Sequence, residues 1–402
     1  MHLALRGLET KGKALRVCVV GAGHGGLAMA GYLGLSGHPV CLYNRTDENL
    51  HAVRWHKGIE VEGAVSGFGP ILKATSIMGE AVSDVDLIMV VTPSTAHESL
   101  AHQMAPHLRD GQIIILNPGR TGGALAFQRI LKEHKVSENI LVGETSTFLY
   151  ASRAVSRSRA HIFRVKNKVS LATLPAHWIP QALKILQGPF PEFVAGSNVL
   201  ATSMENIGAI FHPALTLLNA GWIESTHGDF DYYIQGITPT IARILEGIDA
   251  DRLAVAQSLG MQAVSAREWL YLSYDSQGKS LYEAIQNTES YRGISAPPSI
   301  AHRYIFEDVP MSLVPLASLG NLLHVKTPMI HLVIQLASVA HGRDYLAEGR
   351  TVEKMGLKGM SLKQIRQFVI GDFSKQKVPV REGSRRKASI RKDLKRPKRI
   401  SR

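Results

Sequence analysis

The sequence predicts an α/β domain built on a doubly wound parallel sheet, followed by an all-helical domain. In the first half of the chain, short apolar runs alternate with segments of helical periodicity. That alternation is typical of parallel strands covered by helices on both faces. From residue 198 to about 373 the apolar spacing is helical throughout. We therefore predict an α/β domain over 1–195, a helical domain over 196–373 and a disordered basic tail over 374–402.

Charge is concentrated at the end of the chain. The chain has 402 residues and a formal net charge of +13, and residues 375–402 contain 13 Lys and Arg against 2 acids. The tail therefore carries +11, and the remainder is nearly neutral, as in an ordinary enzyme. A solvated tail without a specific role is the simpler interpretation, and electrostatic contact with nucleic acid or anionic lipid is the alternative.

The composition also indicates a compartment. Cys18 and Cys41 form neither a disulfide framework nor a metal-ligand cluster, so we predict no metal site and a reducing cytosol. The first residues are too few and too charged for a secretory signal, and no apolar run is long enough to cross a bilayer. We predict a cytoplasmic protein that does not bind membranes.

The strands of the sheet can be assigned from their apolar runs. They are expected at 15–20, 38–43, 59–61, 86–91, 112–116 and 139–142. Helices are expected near 95–108 and 122–135, and residues 161–174 alternate like an antiparallel hairpin.

A glycine-rich turn joins the first strand to the first helix. Its residues are Gly21, Ala22, Gly23, His24, Gly25 and Gly26. In a dinucleotide fingerprint, Gly21 permits the tight turn, Gly23 lets the backbone approach the pyrophosphate, and Gly26 allows close helix–strand packing. The helix N-terminus supplies N–H groups for the phosphates. The strand and helix on either side favour a bound dinucleotide over a merely glycine-rich turn.

The residues after the second strand indicate which dinucleotide. NAD-selective sites commonly carry an acid here for the ribose 2′-hydroxyl, whereas this chain has Asn44, Arg45 and Thr46. Arg45 can pair with a 2′-phosphate, and Asn44 and Thr46 can donate hydrogen bonds. We therefore favour NADP(H) over NAD(H). In the alternative, Arg45 is solvated and Asp47 contacts the ribose.

Three further loops follow the carboxyl ends of strands, where ligands of parallel sheets bind. The first contains Thr92 and Pro93, the second runs from Asn117 through Gly119 and Arg120 to Gly123, and the third covers 144–147 with Thr145. Ordinary turn chemistry is the alternative for each.

Residues 199–224 have the spacing of one long helix, capped by Ser197 or Asn198. One stripe of that helix carries polar or small residues, namely Glu205, Gly208, His212, Thr216 and Asn219. A helix lining a polar cleft has this pattern, but so does a core helix with one solvated edge. Pro213 should bend the helix, and only such a kink could bring Asn206 into the cleft.

The segment 291–310 carries Arg303, Glu307 and Asp308 after a proline-marked connection. Arg303 and Asp308 are five residues apart, so one helical turn would not pair them. An i,i+4 surface pair between Arg303 and Glu307 is the structural alternative to a functional role.

Taken together, these motifs resemble the octopine/nopaline (opine) dehydrogenase family over about 14–345. The resemblance rests on the 21–26 turn, the 117–124 loop, His212-Pro213, and Arg303 followed by Asp308. It implies a Rossmann domain and a helical domain like the C-terminal domain of 6-phosphogluconate dehydrogenase. It also implies reductive condensation of an amino acid with an α-keto acid such as pyruvate.

The resemblance further implies site residues. His212 would be the general acid/base, and Asp308 would support its imidazole. Arg303 would bind a substrate carboxylate and Thr145 would contact the keto acid. Cofactor contacts would come from the 21–26 turn with His24 and Gly25, from 44–46, and from Thr92, Pro93, Asn117 and Gly119. Asn44-Arg45-Thr46 resembles the NADP-using branch.

Two alternatives remain open at this stage. One keeps the fold and reduces a 2-keto or 3-hydroxy acid carbonyl, although such enzymes usually use a catalytic lysine, which 198–224 lacks. The other is a dinucleotide sensor that binds nucleic acid through the tail, which deletion of 375–402 would reveal. A homodimer is one option for the oligomeric state, which the sequence leaves open.

Overall fold

The computed structural model describes residues 14–137 and 139–371, so the predicted basic tail lies outside the described residues. Twelve strands occur in these ranges: β1 Val17–Val20, β2 Val40–Tyr43, β3 Gly58–Gly63, β4 Gly67–Pro70, β5 Lys73–Thr75, β6 Leu87–Val90, β7 Ile113–Leu116, β8 Leu141–Thr145, β9 Tyr150–Ser156, β10 Arg159–Val165, β11 Val169–Leu174 and β12 Phe193–Ala195.

The larger sheet has eight strands in the order β12-β11-β8-β7-β6-β1-β2-β5. All neighbours from β8 to β5 are parallel, and β11 joins β8 in antiparallel orientation. Strands β1, β6 and β7 are fully buried because helices cover both faces, which explains their continuous apolar runs. The predicted doubly wound sheet is confirmed. Strands β2 and β5 extend it on one side of β1, and β6, β7 and β8 extend it on the other, so the strand order reverses between β1 and β6.

The expected strand at 59–61 exists, but it does not belong to this sheet, so only its placement in the parallel sheet is wrong. It lies within β3, in a second sheet of order β4-β3-β10-β9. Along β3, buried Ile59 and Val61 alternate with the more exposed Glu60 and Glu62, which is the pattern of a sheet with one solvated face. A Cβ on Gly31 would lie 2.5 Å from Val61, so the glycine allows the first helix to approach this sheet.

The predicted hairpin at 161–174 is also wrong. Strand β10 pairs with β3 and β9, whereas β11 pairs with β8 and β12 in the larger sheet. The two strands differ in burial: β10 alternates, but five of the six residues of β11 are buried. Their short connection therefore passes from one sheet to the other.

Seventeen α-helices occur in the described ranges: α1 His24–Leu35, α2 His51–His56, α3 Met78–Val82, α4 His97–Met104, α5 Gly123–Glu133, α6 Ile179–Leu186, α7 Val199–Met204, α8 Gly208–Leu218, α9 Ala220–Thr226, α10 Pro239–Ser258, α11 Ala266–Tyr274, α12 Leu281–Gln286, α13 Arg303–Phe306, α14 Val314–Leu322, α15 Pro328–His341, α16 Tyr345–Glu348 and α17 Leu362–Ile370. A π-helical turn, Val309–Leu313, precedes α14. The helical character predicted beyond residue 198 is confirmed.

The single helix predicted at 199–224 is instead three helices, α7, α8 and α9. Asn198 caps α7 as expected, accepting hydrogen bonds from the amides of Leu200 and Ala201. The helix ends at Met204 because its carbonyl accepts a hydrogen bond from the buried Arg252 at 2.6 Å. This break, rather than the bend expected at Pro213, frees Asn206 for contacts of its own.

The helical part follows the sheet directly, since β12 ends at Ala195 and α7 begins at Val199. The described residues up to Gly371 nevertheless form one compact unit, so the boundary between 195 and 196 stays a prediction. None of the described helices has the length and apolar character required to cross a membrane.

Candidate active site

The turn after β1 has the shape that a pyrophosphate requires. Gly21 has a φ of +115°, and a Cβ on it would lie 2.4 Å from the carbonyl oxygen of Val91. A Cβ on Gly26 would lie 1.7 Å from the carbonyl of Gly21, so only glycine permits this packing. At Gly23 no atom lies within 4 Å of such a Cβ, and no side chain caps α1. The open glycine and the uncapped helix N-terminus fit a dinucleotide phosphate.

The loop after β2 is fixed by Asn44 and Asp47. Asn44 Oδ1 accepts a hydrogen bond from the amide of Ala22 at 3.2 Å, which ties this loop to the glycine turn. Asp47 accepts hydrogen bonds from Arg54 at 2.5 and 2.9 Å, and these hold the pKa of its carboxyl well below the usual range. Arg45 is exposed. Asp47 is therefore engaged by the protein, and Arg45 is available to a ligand.

Of the other residues predicted to contact the cofactor, some are bound to the protein itself and others have buried polar atoms without a partner. His24 Nδ1 accepts a hydrogen bond from the amide of Ala154 on β9 at 2.9 Å. Thr92 Oγ1 and Asn117 Oδ1 are buried without a hydrogen-bond partner in the described chain. The side of Gly119 faces Glu144, whose Oε2 would lie 2.1 Å from an added Cβ. Gly119 thus makes room for a buried carboxylate of the protein itself.

At the same edge of the sheet, His212 and Asp308 form a hydrogen-bonded pair. His212 Nδ1 lies 2.8 Å from Asp308 Oδ2, and the Asp308 side chain is only 2% exposed. Tyr304 stacks on the imidazole with a centroid distance of 4.1 Å. Because Nδ1 is bound to the carboxylate, Nε2 is the ring nitrogen left for other partners. The ring also lies close to Gly208, where an added Cβ would be 3.0 Å from His212 Cε1.

Arg120 connects this pair to the cofactor edge. It follows β7 with a left-handed φ of 59°, and its Nη1 lies 3.2 Å from Asp308 Oδ1. The same nitrogen donates to Asn206 Oδ1 at 3.2 Å, and Nε donates to Glu307 Oε1 at 3.4 Å. Burial acts to raise the pKa of Asp308, but Arg120 and His212 outweigh it and keep that pKa below its ordinary value.

Glu307 joins a second loop to the same network. Its Oε1 accepts hydrogen bonds from the amide and the hydroxyl of Ser94, both at 3.1 Å. Because Ser94 follows β6 and Arg120 follows β7, the acid pair at 307–308 is bound to two neighbouring strand ends. The predicted cleft residue His212 therefore lies beside the sheet edge that carries the glycine turn.

Comparisons with known proteins match both the sheet part and the helical part of the described chain. The family model "NAD/NADP octopine/nopaline dehydrogenase, alpha-helical domain" matches residues 195–341, and "NAD-dependent glycerol-3-phosphate dehydrogenase N-terminus" matches 16–142. An opine dehydrogenase of Arthrobacter sp. (strain 1C) is 40% identical over 358 residues, which are 87% of this chain and 98% of that protein. The chain belongs to the opine dehydrogenase family.

Solved structures of opine dehydrogenases share the fold. Octopine dehydrogenase with NADH and L-arginine superposes with a TM-score of 0.74 at 20% identity, covering 89% of this chain and 98% of that one. NADP⁺-bound yersinopine dehydrogenase gives a TM-score of 0.64 at 16% identity, covering 90% and 96%. The combination of a Rossmann domain with a helical domain is therefore confirmed.

Membership of the opine dehydrogenase family decides the chemistry in outline. The chain is an oxidoreductase of CH–NH donors that uses a nicotinamide dinucleotide and condenses an amino acid with an α-keto acid. This confirms the predicted enzyme class. It replaces the two alternatives, a carbonyl-reducing dehydrogenase and a dinucleotide sensor.

Arg303, predicted to bind substrate in this opine dehydrogenase, is 61% exposed, and its Nη2 lies 3.0 Å from Glu307 Oε2. The i,i+4 pair considered from the sequence exists, but Glu307 is buried, so it is not a simple surface pair. Thr145, predicted to contact the keto acid, is the last residue of β8, and its hydroxyl donates to the carbonyl of Leu116 at 3.4 Å. It is buried rather than part of an open loop.

Two cationic side chains near this network are absent from the sequence-based prediction for this opine dehydrogenase. Arg350 is fully buried and donates to the carbonyls of Gly119 at 3.2 Å and Thr121 at 2.7 Å, and the cost of burying its charge lowers its pKa to about 10. Lys166 lies in the connection between β10 and β11, and its Nζ donates to Thr147 at 2.7 Å. No motif surrounds either residue in the sequence.

Proposed function

We propose that this chain is an NADP(H)-preferring opine dehydrogenase in which His212 is the general acid/base and Asp308 orients it. The observation that carries the proposal is the 2.8 Å contact between His212 Nδ1 and Asp308 Oδ2 beside the cofactor edge. A carboxylate on Nδ1 fixes the tautomer and supports the charged imidazole, so that proton transfer takes place at Nε2.

The residues divide the reaction between them. His212 Nε2 accepts a proton from the ammonium group of the amino acid, and the free amine then attacks the keto carbon. One N–H proton passes to the carbonyl oxygen to give the carbinolamine. The protonated imidazole returns its proton to the hydroxyl, which leaves as water and gives the protonated imine. The dinucleotide, when bound, supplies the hydride that reduces the resulting imine to the secondary amine. Stacking on Tyr304 and the contact with Asp308 hold the ring in one orientation throughout.

The test of this function is oxidation of NADPH, followed by absorbance, with pyruvate or 2-oxoglutarate and a pool of amino acids, with NADH in parallel. We expect oxidation that requires both the keto acid and an amine. Division of the pool then identifies the amine. Oxidation of NADPH in the presence of the keto acid alone would contradict the condensation and would favour reduction of the keto acid carbonyl instead.

The preference for NADP(H) is supported by the surroundings of Arg45 and Asp47. Because Asp47 is engaged by Arg54 and Arg45 is exposed, Arg45 is the charged group free to meet a 2′-phosphate. Arg45→Asp should weaken NADPH binding by roughly 10- to 100-fold, the value of a lost charge-assisted hydrogen bond. Dissociation constants from nucleotide fluorescence check this, with NADH as the internal control. An equal effect on both nucleotides would refute the 2′-phosphate contact.

Arg303 is proposed to bind one substrate carboxylate through its exposed guanidinium. Arg303→Ala should raise the KM for one substrate by roughly 10- to 100-fold and leave kcat nearly unchanged. Glu307 would keep its contacts with Arg120 and Ser94, so the fold should tolerate the change. Arg292→Ala is the matched control, because Arg292 pairs only with exposed Glu289 among the ion pairs of the described chain. If both variants behave alike in steady-state kinetics, Arg303 has no substrate role.

A further inference from the structure

Lys166 is a half-buried cation at the cofactor edge that no step above uses. Its Nζ donates to Thr147 Oγ1 at 2.7 Å, and its amide donates to the carbonyl of Leu149 at 3.0 Å. Thr147 lies two residues beyond the end of β8, on the loop that follows the predicted keto acid residue Thr145. Both ends of the lysine are thus fixed at the end of the sheet where ligands of this fold bind.

The charge of Lys166 has no partner among the described residues. The polar contact of its Nζ is the neutral hydroxyl of Thr147, and the charged group that acts on it is Arg120, also a cation. Burial, and to a smaller extent this repulsion, lower the pKa of Lys166 to about 8. A half-buried ammonium beside a second cation is unfavourable unless an anion compensates it.

The carboxylates that contact Arg120 do not supply that anion. Arg120 contacts Glu307 and Asp308, and Arg303 contacts Glu307, so two cations face two buried carboxylates in that network. These acids are already balanced, which leaves Lys166 as a surplus positive charge. An ammonium group has three donors, and one of them is used by Thr147.

We propose that Lys166 and Thr147 form a carboxylate-binding subsite, which holds the carboxylate of the α-keto acid or of the amino acid. This rests on the proposed function, because both substrates and the product then carry carboxylates. The product has two of them, and we assign one to the exposed Arg303 and the other to Lys166, which has no anionic partner among the described residues. Each cation would hold one carboxylate and so orient the amine nitrogen and the keto carbon that the new C–N bond joins.

The test uses the full-length protein with Lys166→Met, which keeps the length of the side chain and removes its charge. Lys168→Met is the control, since Lys168 is exposed two residues away in the same connection. The NADPH complex of each variant is titrated calorimetrically with pyruvate and, separately, with the amino acid found in the condensation assay. We expect Lys166→Met to weaken one of the two by about 10- to 100-fold and the control to weaken neither. The substrate affected identifies the carboxylate.

Two results would overturn the subsite. If Lys166→Met weakens NADPH binding and leaves substrate binding unchanged, the lysine binds a cofactor phosphate. If the variant changes the affinity for none of the ligands, the lysine has only a structural role. Calorimetric titration with pyruvate does not depend on turnover, so it tests the subsite separately from the proposed function. If the wild-type enzyme catalyses no condensation but binds pyruvate, and Lys166→Met loses this binding, the proposed function is refuted and the subsite is not. Thr147→Val should reproduce a smaller part of the loss.

The pH dependence of binding gives a second readout that a structural role would not move. A lysine is charged below its pKa, so affinity for the carboxylate should be retained below about pH 8 and fall above it. Among the described groups facing Lys166, Thr147 does not titrate in this range and Arg120 stays charged. Lys166→Arg should therefore remove the decline above pH 8. A decline that persists in Lys166→Arg would contradict the subsite.

Discussion

Replacement of His212 by Gln should lower kcat by about 10²- to 10⁴-fold, the range that general acid–base catalysis contributes. The amide cannot carry a proton from the amine to the leaving hydroxyl, although it fills much of the same space over Gly208. NADPH affinity should stay near the wild-type value, because the dinucleotide contacts predicted for the chain lie on the glycine turn and the loop at 44–46. Steady-state kinetics and fluorescence titration of NADPH measure the two quantities.

Asp308 provides the control for this prediction. If Asp308 acts through the imidazole, then Asp308→Asn should lower kcat by itself but add little to His212→Gln, since the two residues work as one unit. Independent, multiplying losses in the double variant would show that Asp308 has a separate role. Near-normal turnover of His212→Gln would remove His212 from catalysis altogether.

Replacement of Arg120 by Met should reduce both stability and activity. The Arg120 side chain is 12% exposed and compensates Glu307 and Asp308, which are 5% and 2% exposed. Removal of one partner from a buried ionic network costs about 3–5 kcal/mol because the remaining charges lose their compensation. For a chain of this size, Tm should fall by roughly 5 °C, and kcat should fall because Asp308 then holds His212 less firmly.

Two further variants show whether the loss of stability in Arg120→Met comes from the lost charge or from the changed side-chain volume. Adding Glu307→Gln to Arg120→Met should recover part of the stability, because it removes one of the two buried charges that Arg120 compensates. Arg292→Met breaks an exposed pair and should change the free energy of unfolding by less than about 1 kcal/mol. If Arg120→Met costs no more than Arg292→Met in denaturant titrations, the buried network contributes nothing to stability.

The sequence predicts those parts of the site that depend on local patterns. The glycine turn lies between its own strand and helix, so its geometry follows from residues next to each other. The family resemblance implies that Asp308 supports the imidazole of His212, and the structure brings their side chains together at 2.8 Å. The pairing itself could not be derived from spacing, because 96 residues separate them.

Errors occurred where a distant side chain changed the local outcome. Residues 199–224 have helical periodicity, but Arg252 binds the carbonyl of Met204 from 48 residues further along the chain and ends the helix there. The alternation at 161–174 suggested one hairpin because periodicity does not say which neighbour a strand will find. The surroundings of Lys166 cannot be predicted from the sequence for the same reason, because Thr147 and Arg120 come near it only in the folded chain.

Arg350 has a consequence for the order of folding. Its guanidinium reaches the carbonyls of Gly119 and Thr121, which are 231 and 229 residues earlier, and its amide donates to the carbonyl of Pro310. During synthesis from the N-terminus, the glycine turn and the sheet can form long before residue 350 leaves the ribosome. The loop that carries Arg120 stays without its buried cationic support until that moment. Maturation of the catalytic cleft is therefore a late event, and a nascent chain that already holds the dinucleotide fold is still incompetent for condensation.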